Sequence, residues 1–324
     1  MNLVKVSLKA EKKVATRDAY GRALVELGKA CAEVVVLDAD LSKSTKTADF
    51  AREFPERFFE VGVAEQNLMG TAAGLAAAGK IPFASSFAIF ATGRAFEQIR
   101  NTIAYPRLNV KIAATHAGIT VGEDGASHQS IEDVGLMRLL PNLTVVVPAD
   151  ARETEKAVWA AARLEGPVYL RLGRLAVPVI YEEDYDFVVG KAVLMRPGKD
   201  VAFIANGVMV YEALQAAEAL AAEGISARVV NMHTVKPLDA EAVLAAAAET
   251  GAVVTAEEHS IIGGLGSAVA ELLGENLPVP LKRVGLQDCF GESGSPAELM
   301  QKYGLTSLHL AEAAREVLRR KRGR

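Results

Sequence analysis

The stretch LTVVVPADARETEKAVWAAARLEGPVYLRLGR, residues 143–174, is the part of the sequence that decides the predicted fold. A run rich in β-branched residues at 143–150 ends in a polar turn, and residues 151–164 then have the apolar period of an amphipathic helix. A second run of this kind follows at 168–174. Strand, helix and strand in this order predict a β-α-β unit whose two strands lie parallel in one sheet.

The same alternation extends in both directions along the chain. Further predicted strands lie at 34–40, 109–115, 201–207, 227–233 and 252–259, and further predicted helices at 65–79, 211–223 and 239–249. The alternation stops at 176–200, where proline, acidic and aromatic residues follow no clear period, so we place a domain boundary near residue 188. The sequence therefore predicts two open α/β domains with mostly parallel sheets, at residues 1–188 and 189–324.

Composition excludes several classes of function. Half of the residues are apolar and the formal net charge is −4, which disfavours a general nucleic-acid surface. No apolar run approaches the roughly 18 residues of a membrane span, and residues 1–13 lack the apolar core of a secretory signal. Cys31 and Cys289 match neither a zinc spacing nor a disulfide framework. We therefore expect a cytoplasmic protein that binds neither nucleic acid nor membrane.

The densest group of polar residues is the loop THAGITVGEDGASHQ at 115–129, which follows a predicted strand. A metal site is disfavoured because His116 and His128 lie twelve residues apart, without the i, i+4 spacing of ligands on a helix. A serine nucleophile at Ser127 or Ser130 would lack the usual nucleophile elbow. The residues alone are equally compatible with a catalytic loop and with a solvated turn.

Five segments of the chain have distinctive sequences, namely VGVAEQN (61–67), PFASSFAIF (82–90), THAGITVGEDGASHQSIEDVGLMR (115–138), PNLTVVVPAD (141–150) and VYLRLGR (168–174). Their order and separations resemble the pyrimidine-binding and C-terminal domains of transketolase. The block VGEDGASHQSIED is highly specific, whereas PNLTVVVPAD is shared by many thiamine-diphosphate enzymes. EEHSIIGGLGSAVAE (257–271) resembles the C-terminal domain of the same family, so the resemblance covers nearly the whole chain.

The resemblance implies thiamine diphosphate as the cofactor, a coenzyme that supplies a carbanion and an electron sink. In transketolases a glutamate hydrogen-bonds the ring nitrogen of the aminopyrimidine, and Glu65 occupies the matching place in an otherwise apolar stretch. Phe87 and Phe90, three residues apart, are expected to wall this heterocycle from one helical turn. Asp40 is assigned to the neighbourhood of the pyrimidine. Gly93 stands where many transketolases have a further aromatic residue.

The resemblance also implies a sugar-phosphate substrate. Four residues would converge on its terminal phosphate, namely Arg17, Ser44, His116 and Arg174. Asp124 would accept a hydrogen bond from a substrate hydroxyl, and His128 would face the donor sugar near the scissile bond and assist proton transfer. We therefore predict Glu65, His116 and His128 as the catalytic residues and expect Glu123 to be structural.

One part of a complete thiamine-diphosphate site is missing. The family holds the diphosphate through Mg²⁺ or Ca²⁺, bound by a GDG motif and a downstream asparagine. The sequence contains no GDG, and VGEDG has an extra glutamate. We therefore predict no metal ligands in this chain and expect an N-terminal subunit that carries the GDG motif. Because the pyrimidine-domain pattern follows Met1 directly, we expect the C-terminal subunit of a split transketolase.

By analogy with the family, two copies of each subunit would form an α2β2 heterotetramer. Together they would transfer a two-carbon ketol unit from a ketose phosphate to an aldose phosphate, as in the pentose phosphate pathway.

Three alternatives remain. A 1-deoxyxylulose 5-phosphate synthase shares both domains and the glutamate but normally lacks a histidine at the place of His116. The β subunit of 2-oxo acid dehydrogenases has a different substrate loop. A noncatalytic, partner-binding subunit is the alternative of a different class, and loss of Glu65, His116 or His128 would have favoured it. All three residues are present.

Overall fold

A computed structural model describes residues 3–8, 12–182 and 185–323 of the chain. Its strands are β1 (Lys13–Ala15), β2 (Val34–Asp38), β3 (Phe58–Glu60), β4 (Ile81–Phe87), β5 (Lys111–Thr115), β6 (Thr144–Val146), β7 (Val168–Arg171), β8 (Ala176–Pro178), β9 (Val193–Arg196), β10 (Val201–Ala205), β11 (Ala227–Asn231), β12 (Thr234–Lys236), β13 (Val253–Ser260) and β14 (Leu281–Leu286). Its α-helices are α1 (Thr16–Ala30), α2 (Ser42–Thr45), α3 (Ala48–Glu53), α4 (Glu65–Ala77), α5 (Asp133–Leu139), α6 (Ala151–Arg163), α7 (Met209–Ala222), α8 (Ala240–Thr250), α9 (Leu265–Asn276), α10 (Pro296–Lys302) and α11 (Ser307–Arg322). Short 3₁₀ segments lie at Pro55–Arg57 and Ile119–Asp124, and π-helical segments at Phe90–Arg94 and Gln98–Ala104.

In the described residues, the first sheet has seven strands in the order β12-β6-β7-β5-β4-β2-β3. Its strands run parallel except for β12, which pairs antiparallel with β6. Helices α1 and α6 cover one face, and α4 with the second π-helical segment covers the other. The central strands are buried on both faces, which explains why their sequences are continuous apolar runs.

The second sheet has five strands among the described residues, in the order β14-β13-β10-β11-β9. Its strands are parallel except for β9, which pairs antiparallel with β11. Helices α7 and α11 cover one face, and α8 and α9 cover the other. The predicted α/β class with mostly parallel sheets is confirmed. None of the helices in the described ranges is long and apolar enough to cross a bilayer.

The segment without a clear period, residues 176–200, contains two short strands in its described part. β8 pairs antiparallel with β1, and β9 pairs with β11. Strand β12, which follows β11, in turn extends the first sheet, so the two sheets are linked by more than one chain connection. The placement of the domain boundary at residue 188 stays a prediction.

Candidate active site

The predicted site residues lie at one edge of the first sheet. Asp40 and Ser44 follow β2, Phe90 follows β4, His116 follows β5 and Arg174 follows β7. Neighbouring parallel strands are about 4.8 Å apart, so their carboxyl ends bring these residues together. The N-terminal ends of α1 and α4 add Arg17 and Glu65.

Glu65 is the first residue of α4 and its side chain is 2% exposed. One carboxylate oxygen, Oε1, accepts a hydrogen bond of 2.8 Å from Arg94 Nη1. The other, Oε2, is buried and has no hydrogen-bond partner within the described ranges. A buried acceptor without a partner costs roughly 1–3 kcal/mol, so this oxygen is suited to a donor on a ligand.

Four rings form an aromatic wall, which we define as Phe87, Phe90, His116 and His128. The rings of Phe87 and Phe90 stack with centroids 5.9 Å apart and an interplanar angle of 15°. Phe87 also stacks on His116 at 3.7 Å, and His128 directs its ring edge at Phe90 at 5.3 Å. The expectation of one helical turn was wrong, because Phe87 ends β4 while Phe90 begins a π-helical segment.

The position of Gly93 is open on the side where a side chain would project. A Cβ atom added there would meet only Ile89 Cδ1, at 3.9 Å, among the described residues. The neighbouring Arg94 places its guanidinium carbon 4.7 Å from the centre of the Phe90 ring. Arg94 therefore bridges the aromatic wall and the Glu65 carboxylate. The sequence analysis missed this residue.

Arg17 links three of the predicted substrate-binding residues. Its Nη1 donates to the backbone carbonyl of Ser44 at 3.1 Å and lies 3.1 Å from His116 Nε2. Ser44 thus contributes its carbonyl oxygen to Arg17. Arg17 Nε is buried and without a hydrogen-bond partner in the described part of the chain, which leaves a donor for an anion.

The contact with Arg17 fixes the tautomer of His116. A guanidinium only donates hydrogen bonds, so His116 Nε2 is the acceptor and the proton lies on Nδ1, 2.9 Å from Thr115 Oγ1. Burial, followed by the positive charges of Arg17 and Arg174, lowers the pKa of His116 to about 3. His116 is therefore neutral near pH 7.

Arg174 lies in the turn after β7 and contacts the loop that carries the predicted Asp124. Its Nη1 donates to the Val121 carbonyl and lies 3.4 Å from Glu123 Oε2 and 3.6 Å from Asp124 Oδ2. The Arg174 charge also lowers the pKa of Arg17, after the larger effect of burial. The charges of the two arginines therefore act on each other. Arg171, in contrast, is buried against Asp133, with 2.7 Å between Nε and Oδ2.

Asp40 is exposed and adopts a positive φ of 63°. Its backbone N–H donates to Glu60 Oε1 at 2.7 Å, and the same oxygen accepts from Gly62 N at 3.1 Å. Asp40 is thus tied to the turn that precedes Glu65. Its role toward a cofactor stays a prediction.

The buried carboxylate in this region belongs to Asp38, which the sequence analysis missed. It accepts hydrogen bonds from Leu41 N at 2.7 Å, Thr45 Oγ1 at 2.6 Å and Thr47 Oγ1 at 2.9 Å. Burial raises the pKa of Asp38 to about 6, against the effect of these bonds. Asp38 thereby fixes the start of the segment that carries Ser44.

The described residues contain no group of three or more His, Cys, Asp or Glu side chains that could hold a metal ion. The arrangement instead combines an orphan carboxylate oxygen, the stacked rings of Phe87, Phe90 and His116, and two arginines. Such a site can bind a planar heterocycle with a ring donor next to an anionic substrate.

Two family models match the chain. The model described as "Transketolase, pyrimidine binding domain" matches residues 12–179, and "Transketolase, C-terminal domain" matches residues 190–310.

Individual proteins match along nearly the full length of the chain. A "Putative transketolase C-terminal section" of Methanocaldococcus jannaschii is 53% identical over 94% of this chain and 96% of its own. A "6-deoxy-6-sulfo-D-fructose transketolase subunit SqwH" of Clostridium sp. (strain MSTE9) is 50% identical over 94% of this chain and 95% of its own. A solved structure described as "Split gene transketolase, inactive beta4 tetramer" is 60% identical, with a TM-score of 0.89, and the match covers 94% of this chain and 99% of that chain.

Proposed function

The chain belongs to the transketolase family, and from this premise we propose that it is the C-terminal subunit of a split transketolase. With an N-terminal subunit it transfers a two-carbon ketol unit from a ketose phosphate to an aldose phosphate. The observation that carries the proposal is Glu65, a buried carboxylate with one unpartnered oxygen next to an aromatic wall.

The residues present fit the aminopyrimidine of thiamine diphosphate. When bound, this cofactor supplies a nucleophilic carbon and an electron sink for cleavage of the ketose. Glu65 Oε2 would accept a hydrogen bond from a protonated ring nitrogen and so hold that proton at the ring. Phe87 and Phe90 would pack against the heterocycle and exclude water from it.

The cationic side of the site accounts for recognition of the substrate's terminal anion. Arg17 and Arg174 provide guanidinium donors, which suit tetrahedral oxyanions. His116 is neutral and orients Arg17. Asp124 accepts from a sugar hydroxyl, and His128, whose ring contacts Phe90, faces the donor sugar near its scissile bond; the contact with the aromatic wall supports this role.

Arg174 must exchange its contact with Glu123 for the substrate, while its bond to the Val121 carbonyl is kept. Its contact with Glu123 joins side chains that are 35% and 65% exposed, and exposed ion pairs of this kind are worth less than about 1 kcal/mol. A doubly charged phosphate therefore displaces Glu123 easily. Arg17 keeps its position through His116 and the Ser44 carbonyl.

A partner subunit completes this site. The described residues have no cluster of ligands for the Mg²⁺ or Ca²⁺ that would hold the diphosphate. The similar split-gene chain is described as an inactive beta4 tetramer, which supports a requirement for a second kind of subunit. The α2β2 stoichiometry stays an expectation from the family.

The test is reconstitution of ketol transfer. The chain is mixed with an N-terminal subunit that carries the GDG motif, thiamine diphosphate and Mg²⁺, and the aldose product is followed with a ketose phosphate as donor. We expect transfer by the mixture and none by either chain alone. If a competent partner assembles and binds cofactor but no transfer occurs, the noncatalytic role replaces this proposal.

A further inference from the structure

The second half of the chain reaches into the predicted site through Glu258 of β13. Its side chain is buried, and Oε1 accepts a hydrogen bond of 2.7 Å from the backbone N–H of Thr120. Thr120 belongs to the substrate loop, which we define as residues 118–125. One carboxylate of the second sheet therefore holds the backbone of a loop that follows the first sheet.

Two glycines show how closely the substrate loop packs against the second half. Gly118 has a φ of 81°, and a Cβ atom there would lie 2.2 Å from the carboxyl group of Glu258. Gly125 has a φ of 78°, and a Cβ atom there would lie 2.5 Å from Ser293 Oγ. Both the conformation and the space thus require glycine, so the loop has little freedom to shift toward the second half.

Two further side chains, Gln129 and Arg171, hold the substrate loop and Glu258 in place. Gln129 Nε2 lies within hydrogen-bonding distance of the loop carbonyls of Ile119 and Gly122 and, at 2.8 Å, of the carbonyl of Glu292 in the second half. Arg171 Nη2 donates to the backbone carbonyl of Glu258 at 2.8 Å. The position of Glu258 relative to the first sheet is therefore fixed.

The next residue of the loop connects Glu258 to the predicted anion site. The Val121 carbonyl accepts a hydrogen bond from Arg174, and Asp124 follows three residues later. We propose that Glu258 is a positioning residue that orients Arg174 and Asp124 for the phosphorylated sugar by holding Thr120. This inference rests on the proposed function and gives the C-terminal half a role in substrate recognition.

The role requires a hydrogen-bond acceptor at the end of a side chain of this length. Burial raises the pKa of Glu258, but a protonated carboxyl group still has a carbonyl oxygen that accepts from Thr120. Glu258→Gln keeps such an oxygen, Glu258→Asp shortens its reach by one carbon, and Glu258→Ala removes it. Glu212 provides a matched control, because it also accepts one backbone N–H at 2.7 Å, from Ser307, away from the substrate loop.

The experiment compares these variants in the reconstituted two-subunit enzyme with thiamine diphosphate and Mg²⁺. KM and kcat are measured with a phosphorylated ketose and with an unphosphorylated ketol donor. We expect Glu258→Ala to raise KM for the phosphorylated donor roughly tenfold and KM for the other donor less than about twofold. Glu258→Asp should show a smaller rise, while Glu258→Gln and Glu212→Ala stay close to wild type.

Three results would overturn the inference: equal KM changes for the two donors, a loss in Glu258→Gln as large as in Glu258→Ala, or the same selectivity change in Glu212→Ala. Melting temperature and assembly with the partner are measured for each variant. If Glu258→Ala does not fold, Glu258→Asp and Glu258→Gln decide the outcome. A wild-type mixture without ketol transfer would instead contradict the proposed function.

Discussion

Replacing Glu65 by glutamine tests the proposed proton sharing with the smallest possible change. The substitution exchanges one oxygen for an NH2 group, and the structure determines which one. Arg94 Nη1 donates at 2.8 Å to Oε1 and cannot accept, so the amide oxygen must remain on Arg94. The NH2 group then takes the place of the unpartnered Oε2. Glu65→Gln therefore presents a donor where the cofactor's protonated ring nitrogen needs an acceptor.

The expected loss of activity is much larger than the loss of stability. Removing a positioned acid–base group costs about 10²- to 10⁴-fold in rate, which corresponds to about 3–5.5 kcal/mol in the activation barrier. The bond to Arg94 survives with a neutral acceptor. Because the Arg94 side chain is 51% exposed, we expect the free energy of unfolding to change by less than about 1 kcal/mol.

The assay measures kcat of the reconstituted enzyme with saturating thiamine diphosphate, together with the melting temperature of each chain. Glu212→Gln makes the same chemical change in the second half of the chain and should retain full turnover. A kcat of Glu65→Gln within about threefold of wild type would refute the role of Glu65. A large fall in melting temperature would show that the carboxylate acts on folding instead.

Three further predictions concern charge. Arg174→Ala should raise KM roughly tenfold for phosphorylated sugars and little for unphosphorylated ones, and equal effects in steady-state kinetics would remove its assignment to the phosphate. Glu123→Gln should lower KM for phosphorylated sugars about twofold, because the carboxylate 3.4 Å from Arg174 no longer competes, and an unchanged or higher KM contradicts this. Burial lowers the pKa of His233 to about 3, below the value near 6.5 in the unfolded chain. The stability contributed by the neutral imidazole is therefore present above pH 6.5 and is lost as the pH falls toward 3. Between pH 7 and pH 5, the free energy of unfolding measured with urea should therefore fall by about 2 kcal/mol more for wild type than for His233→Gln. Equal falls in the two proteins would contradict the lowered pKa of His233.

The parts of the fold that the sequence predicts are those with a long, regular period. The β-α-β unit at 143–174 appears as β6, α6 and β7, and the helix predicted at 239–249 appears as α8, whose N-cap Asp239 accepts from Ala242 N at 3.1 Å. Strands β8 and β9 were missed because they are only three and four residues long and pair antiparallel with distant partners. Their register depends on tertiary contacts that local propensity does not contain.

The roles of the candidate site residues came from the resemblance, while the strand pattern by itself placed only the loop of His116 after a strand, β5. Side chains that act through partners distant in sequence were not predicted. Arg94 reaches Glu65 across 29 positions, and Glu258 reaches Thr120 across 138. In VVVLDAD (34–40) only Asp40 was assigned to the site, whereas the structure shows that Asp38 is buried and Asp40 is exposed. Such pairings are set by the packing of elements and leave no spacing signal in the chain.

The most direct test of the central claim is a crystal structure of this chain assembled with its N-terminal partner and thiamine diphosphate. We expect Glu65 Oε2 to lie within about 3.2 Å of the aminopyrimidine ring nitrogen, with Oε1 still bonded to Arg94. A structure in which the heterocycle lies away from Phe87 and Phe90, or in which Oε2 remains without a partner, would contradict it.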